Sequence, residues 1–155
     1  MDERPNFENI LDKKMDDIKP PSPLPGGTFL TIVDGPPTPG VAKTGTNYHE
    51  YAFRVIGDGG KGDIDAAQLQ RYTEDNGPVT GKVIKGQSCR FYLSGEASYR
   101  YKDFLTGPLN IDGKGKSLRE AAAEAPGRQV LVTLRQVPSQ DGTRMYHEVA
   151  GMARV

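Results

Sequence analysis

Hydrophobic and polar residues alternate with the period of β-strands over five stretches of the chain. These stretches are rich in β-branched and aromatic side chains, which strands favour. The predicted strands, in chain order, cover residues 27–33, 47–56, 82–93, 128–137 and 144–152. Apolar side chains at helical spacing predict three short helices, over residues 64–72, 96–105 and 117–125.

Capping and turn residues support these boundaries. Ser117 and Glu120 have the spacing of a capping box, which predicts the start of the last helix. Ser94 is the expected N-cap of the middle helix. Gly86 interrupts the third strand, and the Gly-containing segment 139–143 predicts a turn between the last two strands.

The resulting order, β-β-β-α-β-β, is that of the OB-fold, a five-stranded barrel that commonly binds single-stranded nucleic acid or oligosaccharide. We therefore predict a mainly β domain over residues 27–155, with one or two short helices besides the helix at 64–72. The Gly/Pro-rich stretch 34–46 is a long loop that projects from the barrel, and residues 57–82 are an insertion that contains the first helix.

The N-terminal stretch 1–26 has the composition of a tail. Its first part is acidic, and four prolines fall within residues 19–25. Prolines exclude helix and favour an extended polyproline conformation. The tail is either a disordered lead-in or a short docking peptide that uses Phe7 and Leu11.

The composition of the chain predicts its cellular compartment and reveals an uneven distribution of charge. Cys89 is the one cysteine, so an intrachain disulfide is excluded and a reducing, cytoplasmic compartment is expected. No apolar run reaches the roughly 18 residues that span a bilayer, so we expect no membrane association. The net charge is zero, but residues 1–79 carry −5 and residues 80–155 carry +5. The asymmetry is either scatter or a basic binding face behind an acidic tail.

Motifs for catalysis or metal binding are weak. The Gly-Lys-Gly-Lys-Ser segment at 113–117 lacks the leading glycine of a phosphate-binding loop, because that position is Asn110. His49, His147 and Cys89 lie singly on separate predicted strands without paired ligand spacing. We therefore predict no enzyme activity, no metal site and no cofactor.

The aromatic residues on the second and third strands are more informative. Alternate residues of a strand point to opposite faces, so one set packs into the barrel and the other faces solvent. The expected core set is Phe53, Val55, Phe91 and Leu93, and the expected outward set is Tyr48, Arg54, Arg90 and Tyr92.

Outward tyrosines and arginines suit single-stranded nucleic acid, because bases stack on rings and cations hold the phosphates. Ordinary cross-strand pairing on a solvated sheet would leave the same pattern. Loop lysines are expected to flank the surface: Lys43, Lys82, Lys85, Lys114 and Lys116.

Four short motifs cover most of residues 22–153 in a fixed order. They are Pro23-Leu-Pro-Gly-Gly-Thr-Phe29, Lys43-Thr-Gly-Thr46, Phe91-Tyr-Leu-Ser94 with a helix ending Asp103-Phe-Leu-Thr-Gly107, and Pro126-Gly-Arg-Gln-Val-Leu-Val132. By these motifs the chain resembles phage-encoded OB-fold single-stranded DNA-binding proteins.

The resemblance implies sequence-independent binding of single-stranded DNA in phage-type replication or recombination, in the host cytoplasm. It also implies a homo-oligomer, and replication or recombination proteins as partners. Bacterial-type members of this class end in an acidic tail, whereas the acidic segment here is N-terminal and would recruit partners from that end. The alternative is an OB-fold protein-interaction or structural module of a phage that binds no nucleic acid.

Overall fold

The computed structural model describes residues 11–12, 14–15 and 22–155. From residue 22 onward it contains eight strands and three α-helices. The strands are β1 (Gly27–Val33), β2 (Thr38–Val41), β3 (Asn47–Glu50), β4 (Phe53–Asp58), β5 (Val83–Ile84), β6 (Arg90–Tyr92), β7 (Gln129–Pro138) and β8 (Met145–Ala153). The helices are α1 (Ala66–Asn76), α2 (Ala97–Thr106) and α3 (Leu118–Ala122).

Five strands form one strongly curled antiparallel sheet, in the order β5-β4-β1-β7-β8. β1 lies at the centre because it pairs with β4 on one side and with β7 on the other. The register shifts between Leu30 and Thr31 in β1 and between Thr133 and Leu134 in β7. Such irregularities increase local twist, which helps a sheet to curl. The prediction of a mainly β fold with few helices is confirmed.

The second predicted strand, 47–56, is a bent segment that contributes to two sheets. Its first part, β3, joins β2 and β6 in a three-stranded sheet, and its second part, β4, pairs with β1. At the bend, the Tyr51 N–H donates to the Cys89 carbonyl at 3.0 Å. The neighbouring Ala52 carbonyl accepts from the Asp34 N–H at 2.8 Å. The backbone stays hydrogen-bonded where it changes partner strands. The sequence therefore reads as one continuous strand across the bend.

The third predicted strand, 82–93, is divided in the same way. β5 pairs with β4, a 3₁₀ turn follows at Gln87–Cys89, and β6 pairs with β3. Gly86 lies at the division with a φ of 117°, a backbone conformation that residues with a Cβ rarely adopt. The predicted interruption at Gly86 is confirmed, and it separates two sheets.

The predicted loop 34–46 contains a strand, so this prediction is wrong over its middle. β2 pairs with β3 from Thr38↔Glu50 to Val41↔Asn47. Pro39 lies within β2, which is an edge strand of the small sheet. An edge strand tolerates the missing proline N–H, so the Pro/Gly content of the stretch did not prevent pairing.

The helices lie where the sequence predicts, with shifted ends. α1 follows Asp65, whose carboxylate accepts from the Gln68 N–H at 2.9 Å, and continues beyond the predicted end to Asn76. α3 follows Ser117, whose hydroxyl accepts from the Glu120 N–H at 3.1 Å, so its predicted cap is confirmed. α3 ends at Ala122, earlier than predicted.

The predicted N-cap of α2 is wrong. Glu96 occupies that position without a side-chain capping bond. Ser94 contributes its carbonyl instead, which accepts from the Ser98 N–H at 2.8 Å. The chain already turns before the helix begins, and a carbonyl acceptor leaves no signature in the sequence.

Aromatic side chains form the centre of the core, between the curled sheet and α2. The Phe104 ring on α2 stacks on the Phe91 ring, with centroids 4.4 Å apart, and meets the edges of the Tyr51 and Phe53 rings. Phe53, Val55 and Phe91 are buried as predicted. Leu93, which the sequence predicts in the core, is 38% exposed, because it lies at the end of the small sheet, where its N–H makes a last backbone bond to the Asn47 carbonyl of β3 at 2.8 Å.

Residues 22–26, assigned by composition to the tail, pack on the domain. Leu24 is buried; its N–H donates to His147 Nδ1 at 3.0 Å, and its carbonyl accepts from Gln136 Nε2 at 3.1 Å. The Gly26 N–H donates to Gln68 Oε1 at 2.8 Å. Most of the predicted acidic tail lies outside the described residues.

Candidate nucleic-acid interface

The small sheet brings three of the predicted binding residues together. Tyr48 on β3 faces Tyr92 on β6 across the strand pair, with ring centroids 5.7 Å apart in an edge-to-face arrangement. The Arg90 guanidinium carbon lies 4.5 Å from the centroid of the Tyr48 ring. The three side chains form a contiguous cluster, half-buried, on the face of the small sheet opposite Phe91. We call it the tyrosine cluster.

Two neighbours hold the tyrosine cluster in place. Glu50 Oε1 accepts from Arg90 Nε at 2.8 Å, and this hydrogen bond raises the pKa of the guanidinium. Gly40 on β2 lies directly under the end of the Tyr48 ring, where a Cβ would come within 2.4 Å of Cζ. The cluster therefore depends on β2, the strand that the sequence did not predict.

Arg54 does not join the tyrosine cluster. It lies on β4 in the large sheet, where its guanidinium donates to Asp34 Oδ2 at 3.1 Å and to the Gly81 carbonyl at 3.0 Å. Lys82 lies beside it, because the Lys82 carbonyl accepts from the Val55 N–H at 2.9 Å. Lys43 lies in the turn between β2 and β3 and is exposed. The bend in strand 47–56 separates Arg54 and Lys82 from the two tyrosines, whereas Lys43 lies in the turn that leads into β3.

Lys85 lines a groove of about 820 Å³ at the end of the β7–β8 hairpin. We call it the hairpin groove. Its other wall carries Arg144, Met145 and Tyr146 from the start of β8. Tyr146 is 50% exposed, and Arg144 forms no ion pair with any residue in the described part of the chain. The groove thus presents two cations and an exposed ring, and its one carboxylate, Glu148, accepts from Arg135 Nε at 2.6 Å.

Sequence reasoning missed Arg144 and Tyr146 as site residues. Both follow directly after the turn that ends at Thr143. A signal was available, since loops between the fourth and fifth strands of OB-folds commonly contribute to binding.

His147 forms the rear of the hairpin groove and ties it to the N-terminal segment. Burial lowers the pKa of its imidazole, which favours the neutral ring. Its Nδ1 accepts from the Leu24 N–H, so that nitrogen carries no proton. The side chain positions Leu24 and leaves the groove's positive charge to Lys85 and Arg144.

Lys114 and Lys116 line a different groove, of about 550 Å³, between α2 and α3. We call it the helix groove. Tyr99 and Lys102 on α2 border the same space, and neither was predicted as a site residue. Helical spacing does not identify Tyr99 and Lys102 as site residues. The pattern of α2 shows which residues are buried, but it does not show which other residues lie near the exposed face.

In the described part of the chain, His49, His147 and Cys89 do not meet in one metal site. Cys89 is fully buried, and burial raises its thiol pKa to about 12, so it is not a nucleophile near neutral pH. Among residues 11–12, 14–15 and 22–155, no three His, Cys, Asp or Glu side chains cluster as metal ligands. None of the helices in that part of the chain has the length and apolar character to cross a membrane.

Comparison with known proteins adds no assignment to this geometry. No protein-family model matches the chain, and a search of curated proteins finds no match to it.

Proposed function

We propose that this protein binds single-stranded DNA without sequence preference, through an OB-type barrel, and that it acts in phage-type DNA replication or recombination. The observation that carries the proposal is the strand order β5-β4-β1-β7-β8. In an OB barrel the first strand pairs with the second and the fourth, the second with the third, and the fourth with the fifth. With β4 and β5 as second and third strands, and β7 and β8 as fourth and fifth, these four pairings are present, which supports the proposal.

The position of α2 also supports an OB-type barrel. It follows β6 and precedes β7, as the helix between the third and fourth strands does. On its buried face, Phe104 packs against Phe53 of β4 and Phe91 of β6. The small sheet then extends the second and third strands through β3 and β6.

The binding surface in this proposal comprises the tyrosine cluster and the hairpin groove. Residues 85–88 line the groove and residues 90–92 form β6, so one short segment connects the two. Tyr92 and Tyr146 offer rings to bases, and Lys85 and Arg144 offer cations to phosphates. Base–ring stacking contributes about 1–3 kcal/mol per base and is tolerant of sequence.

Arg90 has a particular role in this proposal. It covers one face of the Tyr48 ring, so a base reaches that position by stacking on the guanidinium plane rather than on the ring. Guanidinium planes stack with unpaired bases in known complexes. Glu50 keeps the plane in place, which pre-organises the stack.

The alternative is a protein-interaction or structural module that uses the same barrel. A groove of about 820 Å³ lined by Pro36, Pro37, Leu93 and Leu118 favours it, because exposed apolar walls suit a protein partner. This groove is separate from the hairpin groove. The two functions therefore predict different sensitive residues.

The test is fluorescence anisotropy of a labelled oligo-dT of about 30 nucleotides, longer than the roughly 4–16 nucleotides one OB-fold occupies. Titrations at about 50 mM and about 200 mM salt measure the electrostatic part of the binding free energy. A duplex of the same length is the control. We expect tight, salt-weakened binding to the single strand only. Absence of binding at low salt, with stable co-purification of another protein, would move the assignment to the alternative.

Variants locate the surface. Arg144→Ala with Tyr146→Ala removes one cation and one ring from the hairpin groove, and we expect a loss of about 1–3 kcal/mol in binding free energy. The matched control is Arg71→Ala on the exposed face of α1, which lines neither groove. Equal affinity of the double variant and the control would exclude the hairpin groove.

A further inference from the structure

Both apolar and charged side chains line the helix groove. Leu105, Leu118 and Ala121 contribute apolar walls, and Gly113 keeps the loop close to Thr106, where a Cβ would approach the methyl carbon to 3.3 Å. The volume of about 550 Å³ falls within the range of about 300–1,000 Å³ typical of ligand sites.

Positive charge is concentrated at the rim of this groove. Lys116 is paired with Glu124, with Nζ and Oε2 2.7 Å apart. Lys102 and Lys114 form no ion pair with any described residue. The nearby Asp112 carboxylate accepts from the Lys114 backbone N–H at 3.0 Å, and its side chain does not line the groove. Two cations therefore remain for an anionic ligand.

An exposed ring stands beside these cations. Tyr99 is 66% exposed, and Lys102 Nζ lies 5.8 Å from its ring centroid. A ring next to two cations over apolar walls matches the chemistry of a nucleotide, which has a flat base and an anionic phosphate.

We propose that the helix groove is a second contact site for single-stranded DNA, with one base on Tyr99 and the adjoining phosphates on Lys102 and Lys114. This inference rests on the proposed function and extends it. The groove lies between α2 and α3, outside the strand face and the hairpin groove. A DNA strand that occupies the helix groove as well as the barrel face covers more nucleotides than one that occupies the barrel face alone.

The test compares Tyr99→Ala and the double variant Lys102→Ala with Lys114→Ala against the unchanged protein. Oligo-dT of about 30 nucleotides is titrated over a salt series. We expect at least about a fivefold loss of affinity for each variant. The slope of log affinity against log salt should fall by about 1.4 in the double variant, since each single-strand phosphate contact contributes about 0.7.

The control is Lys61→Ala, in the loop between β4 and α1, which removes an exposed lysine that lines neither groove. If the helix-groove variants match this control in both affinity and salt slope, the inference is overturned while the proposed function stands. If the unchanged protein binds no single strand, the proposed function fails as well. Unfolding temperatures should stay unchanged, because Tyr99, Lys102 and Lys114 are exposed.

Discussion

The two faces of the small sheet use alternate residues of the same strands for opposite purposes. On the inward face, His49 Nδ1 lies 2.8 Å from the Tyr101 hydroxyl, which lies 2.6 Å from the Tyr51 hydroxyl. Phe91 stacks on Phe104 beside them. On the outward face, Tyr48, Arg90 and Tyr92 meet each other, and their remaining surface faces solvent.

The difference shows how a short strand can line the core with one face and present an accessible polar surface with the other. The inward hydroxyls and imidazole satisfy one another, and no buried side-chain polar atom among the described residues lacks a partner. The outward residues have one ion pair, one aromatic contact and one cation–ring contact, and their side chains remain only half-buried. Changes on the inward face should therefore affect stability, and changes on the outward face should affect binding.

The largest effect is expected at Phe104. Phe104→Ala removes the ring that stacks on Phe91 and contacts Tyr51 and Phe53, and should lower the free energy of unfolding by about 3–5 kcal/mol. Chemical denaturation measures it. Tyr99→Ala, an aromatic truncation on the exposed side of the same helix, is the control. A comparable loss in both would contradict the assignment of inward and outward faces.

The next effect separates binding from folding on the outward face. Tyr48→Ala with Tyr92→Ala should weaken single-strand binding by about 1–3 kcal/mol for each base that loses its stacking partner. The protein should remain folded, because both side chains are only half-buried. Anisotropy and circular dichroism on the same samples measure the two properties. Full retention of affinity would show that the outward face is not the binding surface.

A smaller effect is expected in the buried hydroxyl chain. Tyr101→Phe deletes the hydroxyl between His49 and Tyr51, and should lower stability by about 1–3 kcal/mol through the unpaired groups that remain. Tyr99→Phe makes the same chemical change at an exposed position of α2 and should be silent. Binding affinity at neutral pH should be unchanged in both.

The smallest effect concerns pH. Burial lowers the pKa of His49 below its ordinary 6.5, so the folded state favours the neutral ring. The stability that this contributes is complete above pH 6.5 and is lost as the pH falls through the folded-state pKa. His147 shifts in the same direction, so His49→Gln should reduce only part of the pH dependence. Unfolding curves between pH 7 and pH 5 test it; an unchanged slope would exclude His49 as a contributor.

Elements with a strong local pattern could be predicted from the sequence. β1, the β7–β8 hairpin, α2 and the Ser117 cap depend on alternation, helical spacing and side-chain hydrogen bonds between near neighbours. The same reasoning identified Tyr48, Arg90 and Tyr92 as outward residues, because alternation along a strand is a local property. It placed Leu93 wrongly, since the end of β6 is decided by its partner strand.

Tertiary structure decided which strands share a sheet and which cations share a groove. The bend at Tyr51 placed Arg54 in a different sheet from Tyr48. The backbone changes partners there because the Tyr51 N–H donates to the Cys89 carbonyl and the Ala52 carbonyl accepts from the Asp34 N–H. The pairing of β2 with β3 and the grouping of Lys85 with Arg144 likewise join residues far apart in the chain. The hydrophobic periodicity of a strand shows on which face each residue lies. Pairing between strands that are distant in sequence determines which other residues lie next to that face.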